Sequence, residues 1–308
     1  MLTSAIGAAV NRDKHERSDR AALRDLPRLG SPGLDHVAAG LSIRWLGTAG
    51  FALTSEDTTL LIDPYVTRLG LGDLVRWRVV PSSEEALSRW VPKADAVLVG
   101  HTHFDHALDV PSIARRDGCP VYGGSSLAYL MQLHGLSRQA VVVQPYEPRE
   151  IGPFSVTFVP SAHSKLLLGR RVPAAGEITC DHLDRMVPRA FRCGQVWGIH
   201  VTVDGTSLYH QGSADLVDDA VLPRGVDVFL CGIAGRQCSP RYLERVIPRL
   251  DPAVIVPTHF DDFLSPLDAP MGFTLGVDLA RFPGEVGDVS GATTVCVLDP
   301  ADTVYRSA

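Results

Sequence analysis

Three histidines and one aspartate fall within the six residues His101 to His106, in the run "VLVGHTHFDHALD". The chain holds eleven histidines in 308 residues, so this is a local concentration. Val97 to Gly100, directly before it, is apolar and reads as a buried strand. Extended backbone aims alternate side chains the same way, so His101 and His103 share a direction while Asp105 and His106 fall on the following turn. Imidazole nitrogen and carboxylate oxygen are donors that Zn²⁺ accepts at about 2.0 to 2.2 Å, and catalytic zinc sites use three protein ligands plus water. The bland alternative is a helix start capped by Asp105, with incidental histidines. It leaves several titratable groups at the end of an apolar strand without a shared partner, which is costly. The pattern therefore predicts a centre of one or two Zn²⁺ ions, with Mn²⁺ or Fe²⁺ suited to the same donors. No G-x-S-x-G elbow supports serine-hydrolase chemistry, and "GGSSLAY" is not one.

Such side chains need rigid elements behind them. With 45% hydrophobic and 21% charged residues, the chain can bury a full core. "LSIRWLG", "GFALTS" and "TTLLIDP" read as antiparallel strands joined by tight turns. "ADAVLVG", "CPVYGG", "AVVVQP" and "FSVTFVP" follow as further strands, with "SEEALSRW" and "SSLAYLMQLHGL" as helices between some of them. "GQVWGIHVTVDGTSLYHQG" reads as a hairpin turning at Asp204 and Gly205. A helix from Ala214 to about Leu222, "VDVFLCG", the helix "SPRYLERVIPRL", "AVIVPTH" and "TTVCVLD" complete the alternation. This favours two sheets packed face to face with helices outside. Residues 1 to 40 are polar and end in the turn-rich "LGSPGLD", the pattern of a loosely docked arm before a domain over 41–308.

The net charge of −6 gives no global reason to expect nucleic-acid binding. The six cysteines form no C-x-x-C pair, no apolar window reaches transmembrane length, and "MLTSAIGAAV" lacks a signal-peptide pattern. A cytoplasmic protein with reduced thiols is expected.

H-x-H-x-D-H resembles the signature of the metallo-β-lactamase fold hydrolases. The resemblance implies an α+β, four-layer αββα sandwich. It also implies further ligands just after later strands, where "FVPSAHS" offers His163 and "VIVPTHF" offers His259. Carried over residue by residue, His101, His103 and His163 hold one metal, and Asp105, His106 and His259 a second. "WLGTAGFAL" followed by "LLIDPY" resembles the branch with the L-ascorbate-6-phosphate lactonases and N-acylphosphatidylethanolamine phospholipase D enzymes. In one place the chain departs from the pattern: Ser213 of "YHQGSADL" stands where the family carries a bridging aspartate. Asp215 either substitutes for it or caps the following helix.

The implied activity is metal-dependent hydrolysis, since zinc lowers the pKa of bound water from 15.7 to about 7 and polarises the oxygen under attack. Asp105 is then the candidate to orient that water and shuttle its proton. The departure at Ser213 leaves a degenerate, non-catalytic metal binder as the alternative. Specificity in such folds lies in grafted lids, and residues 164–192 have little periodicity. Basic residues outnumber acidic ones there, and Arg170 and Arg171 follow closely on His163. They are the candidates to bind an anionic, phosphodiester or lipid-like small-molecule substrate, with His182 as a further contact and "LGLGDLVRW" lining an apolar side. A lactone, ester or amide substrate remains open. His15, His36 and His134 read as surface residues, and His200 and His210 depend on hairpin face.

Overall fold

The computed structural model describes residues 2–30, 34–166, 169–222, 224–299, 301 and 303–305. Two sheets form the centre. The first runs, edge to edge, through Thr303–Tyr305, Ser42–Gly47, Gly50–Ser55, Thr58–Ile62, Ala96–Leu98, Val121–Gly123 and Ala140–Val142. Its early strands are an antiparallel meander, as their alternation and turns suggested, and the strands from Thr58 onward pair in parallel. The second sheet runs through Asp215–Leu216, Phe154–Ala162, Trp197–Val203, Thr206–Gln211, Val228–Gly232, Val254–Thr258 and Thr294–Val295, with Arg149–Ile151 added to Phe154–Ala162. The expected hairpin is present: Val203 faces Thr206, and Asp204 and Gly205 both take positive φ, the requirement of a tight two-residue turn.

Side-chain alternation divides the core into layers. Leu60, Ile62, Ala96 and Leu98 point between the sheets, meeting Phe158, Ile199, Tyr209 and Phe229. Leu61 and Val97 point outward and join Ile113, Ala114 and Leu130 from the helices Val110–Asp117 and Ser125–Leu133. On the far side, Val246 and Ile247 of the helix Tyr242–Leu250 pack on the second sheet. The result is the expected helix, sheet, sheet, helix order.

Two local expectations are corrected. Residues 2–25, within the stretch read as a loose arm, form a helix whose second half is docked: Leu23 is buried, and Asp19 accepts a 2.9 Å hydrogen bond from the Ala280 N–H. Arg28 then pairs with Asp299 at 2.8 Å. The helix expected from Ala214 to Leu222 is instead a short strand, Asp215–Leu216, and a 3-10 turn, Asp218–Ala220. Both acids are drawn to Arg245 of the neighbouring helix, at 2.9 Å and 2.6 Å.

Candidate metal centre

Strand ends at one edge of the sandwich deliver the site. Ala96–Leu98 runs out into His101 and His103, and His103 starts the one-turn helix Phe104–Ala107 that carries Asp105 and His106. His163 directly follows Phe154–Ala162, and His259 directly follows Val254–Thr258. The six side chains converge as two groups, His101 with His103 and His163, and Asp105 with His106 and His259. Within each group the ligand-type atoms lie within 4.8 Å of one another. The two groups adjoin, with the His101 and His106 rings 3.8 Å apart between centroids.

The donor set can be tested for fit through its hydrogen bonds. His103 Nε2 donates to the Pro173 carbonyl at 2.9 Å, and His163 Nδ1 to the Ser164 carbonyl at 2.8 Å. Carbonyls only accept, so each ring keeps its other nitrogen unprotonated and free to ligate. His106 Nδ1 donates to Asp63 Oδ2 at 2.8 Å, which turns its Nε2 toward the site. His101 Nε2 and His103 Nδ1 face each other at 3.1 Å, near the roughly 3.4 Å expected of two nitrogens bound tetrahedrally at about 2.1 Å. The residues present therefore fit a pair of transition-metal ions.

Electrostatics agree. Burial and the neighbouring imidazoles hold His101 well below the ordinary histidine value, and burial is also the main cause of lowering at His103. Burial and nearby His103 push His163 down to about 3. These rings are neutral at pH 7, the state in which imidazole binds metal. Burial alone would lower His106 as well, but the Asp63 and Asp105 carboxylates outweigh it and raise it. Burial would raise Asp105, yet His106 and the His259 hydrogen bond hold it well below the usual carboxylate range.

The beta-lactamase superfamily domain, as a family model, matches residues 42–259, a span that contains all six side chains. The chain belongs to this superfamily. Among curated relatives, it is 26% identical to a UPF0173 metal-dependent hydrolase of Anaeromyxobacter dehalogenans, over 85% of each chain. It is 28% identical to another of that name from Archaeoglobus fulgidus, over 72% of this chain and 84% of the relative. Among solved structures, Igni18, a metallo hydrolase from Ignicoccus hospitalis, aligns with a TM-score of 0.53 and 20% identity, covering 86% of this chain and 97% of its own. YhfI, a metallo-beta-lactamase fold protein from Bacillus subtilis, aligns with a TM-score of 0.53 and 17% identity, covering 86% and 99%. Both structures support the fold.

Behind this superfamily site stand residues that motif reading passed over. Asp63 directly follows the strand Thr58–Ile62 and is fully buried, accepting from the Gly100 N–H at 2.7 Å while its other oxygen holds His106. Gly212 must lack a side chain, because a Cβ there would sit 2.8 Å from Asp63 Oδ2 and 3.2 Å from the His106 ring. His259 takes φ of 60°, a left-handed value unusual for this residue, and its N–H donates to the Thr48 carbonyl at 2.8 Å. The Thr48 N–H donates to the Asp261 carboxylate at 2.9 Å, and Asp261 forms a buried ion pair with Arg68 at 2.9 Å. A buried aspartate directly after an apolar strand, as in "LLID", was the available signal for Asp63.

Several expected contacts fall elsewhere. Ser213 lines the cavity over the site, its Oγ accepting from the Ser164 N–H at 3.2 Å, whereas Asp215 is tied to Arg245 and does not line it. Arg170 and Arg171 are exposed and outside the lining, although Leu166 and Pro173 on either side of them belong to it; residues 167 and 168 lie outside the described residues. His182 pairs with Asp184 at 2.6 Å in solvent. Arg189 is the lid cation that lines the cavity, its guanidinium 4.9 Å from the centre of the Trp77 ring. His210 is buried, donating to the Ala49 carbonyl at 2.8 Å.

The cavity encloses about 670 Å³. His103, Asp105, His163 and His259 open onto it, and its walls include Leu74, Trp77, Phe104, Leu166, Phe263 and Leu275.

Proposed function

We propose that this chain is a metal-dependent hydrolase in which His101, His103 and His163 hold one ion and Asp105, His106 and His259 a second. We further propose that it cleaves an anionic phosphodiester or phospholipid-like substrate. The observation that carries the reading is the pair of three-ligand groups adjoining at one cavity, each fixed by hydrogen bonds from behind. Zinc is the metal best matched to these donors, with manganese and iron(II) compatible. When bound, such ions supply an activated water and polarise the oxygen of the bond under attack.

The chain's own residues do the rest. Asp105 opens onto the cavity and is placed to orient the attacking water and take its proton. The apolar walls exclude bulk water and receive the substrate's hydrophobic portion. Arg189 supplies a planar fork suited to a phosphate. It is the only arginine or lysine among the described lining residues, which favours a second reading, hydrolysis of a neutral lactone or ester.

A substrate panel with one apolar group attached through a phosphodiester, a carboxylic ester or a lactone distinguishes them. The proposal expects turnover of the phosphodiester, and a KM raised roughly tenfold or more, about 1.4 kcal/mol, in Arg189→Glu at unchanged metal content. Preference for the neutral substrates, with KM indifferent to that substitution, selects the second reading.

A further inference from the structure

We propose that the mouth of this cavity is a docking surface for an anionic lipid bilayer. The helix Leu71–Arg76 buries none of its residues. Leu71 and Val75, one helical turn apart, are 63% and 67% exposed, while Leu74 between them and Trp77 after them line the cavity. Across the opening, Leu275 is 83% exposed and Leu166 41%, and both line it too. Five of the twelve large apolar side chains exposed among the described residues thus gather at one opening.

The charge around that opening names the occupant. Arg189 itself lines the opening, and along the chain Arg76 and Arg78 flank the lining residue Trp77 while Lys165 adjoins the lining residue Leu166. All four are exposed, in a chain whose net charge is −6. The acids near the same segments are engaged: Asp73 with Arg78 at 3.8 Å, Asp262 with Ser265 at 2.7 Å, and Glu285 with Arg236 at 2.7 Å. Exposed apolar side chains with arginine and lysine beside them are the composition of an interfacial surface, inserting shallowly while the cations meet lipid phosphates. A second copy of this chain would oppose cations to cations across a two-fold axis, so the bilayer is the better match. Among the described residues no helix is long and apolar enough to cross a membrane, so contact is from one side. The placement would let an amphipathic substrate pass from the bilayer into the apolar walls.

This inference rests on the cavity being the substrate site, but its test reads binding alone. The full chain is sedimented with vesicles of phosphatidylcholine and with vesicles that also contain phosphatidylglycerol, at low and physiological salt. Binding to the anionic vesicles, weakened by salt, is expected, with a blue shift of tryptophan emission that is absent in Trp77→Phe. Leu71→Asp with Val75→Asp should bind at least tenfold more weakly while hydrolysing a soluble substrate as before. If that variant is unfolded by circular dichroism, Arg76→Glu with Arg78→Glu serves the same purpose. No binding to either vesicle, or equal binding by the charged variants, overturns the proposal. A concentration-dependent dimer that these substitutions dissociate would also overturn it, assigning the surface to a second copy. Hydrolysis without vesicle binding would leave the proposed activity standing and remove only the docking surface.

Discussion

Asp63→Asn replaces one atom and tests whether His106 is held ready for a metal. Asp63 is fully buried and divides its oxygens, Oδ1 accepting from the Gly100 N–H at 2.7 Å and Oδ2 from His106 Nδ1 at 2.8 Å. Both partners are donors, so the carboxylate's two acceptors match. Asparagine offers one acceptor and one donor. If its carbonyl faces Gly100, its amide donates to His106 Nδ1, the imidazole proton moves to Nε2, and the ligating lone pair is lost. If its carbonyl faces His106, the amide meets the Gly100 N–H donor to donor, leaving a buried group unpaired at a cost of about 1–3 kcal/mol. A side chain at residue 100 cannot relieve the conflict, since Gly100 already sits so close that a Cβ would lie 3.0 Å from Asp63 Oδ2. Loss of such a supporting partner typically costs 10–100-fold in metal affinity. Competition with a chromophoric chelator should therefore show one ion bound about 10–100-fold more weakly and the other unchanged, with hydrolysis reduced in step. Two ions retained at undiminished affinity would refute the reasoning.

Other substitutions separate the remaining roles. Replacing His101 and His103 together with Ala should remove the first ion, measured by elemental analysis, and full stoichiometry in the variant would rule those ligands out. Ser213→Asp places a carboxylate on the cavity wall and should tighten the weaker ion roughly tenfold in the same chelator titration. Asp215→Asn should leave metal content untouched and cost about 0.2–1 kcal/mol in denaturant melts, because Arg245 keeps Asp218 at 2.6 Å. Chelator-treated protein should melt at lower temperature as pH falls below about 6.5, since His101, His103 and His163 lie below that value when folded and bind protons only on unfolding. His106, raised by its carboxylates, has the opposite sign, but its stabilisation is gained above about 6.5 and is already complete below it, while His134, His200 and His210, also lowered by burial, act in the same direction as the three. A melting temperature flat between pH 7 and 5 would show that the three rings are not neutral in the fold.

How much of this was legible in the sequence depends on distance along the chain. The convergence of the six side chains was readable because His163 and His259 directly follow apolar strands and His101 to His106 lie on the loop and helical turn just beyond a third, and these strand ends share an edge of the sandwich. The layers followed from alternation, as with Leu60, Leu61 and Ile62 pointing in, out and in. Supporting groups were harder. Asp63 is tied to His106 across 43 residues, and nothing in "LLIDPY" states which charge its carboxylate meets. The fate of Asp215 was set by Arg245, 30 residues later, and not by the loop that made it look like a ligand. Nearness to His163 made Arg170 and Arg171 attractive as substrate contacts. An irregular segment carries no period to say where it turns, and it is Arg189, 26 residues beyond His163 in the sequence, that returns to the cavity.

The central claim is that six side chains hold two ions side by side, and anomalous diffraction recorded above the zinc absorption edge from a crystal grown with zinc tests it most directly. The account predicts two peaks, one within ligand distance of His101, His103 and His163, the other within ligand distance of Asp105, His106 and His259. A map with no peak among these side chains, or with the metal bound elsewhere on the chain, would contradict it.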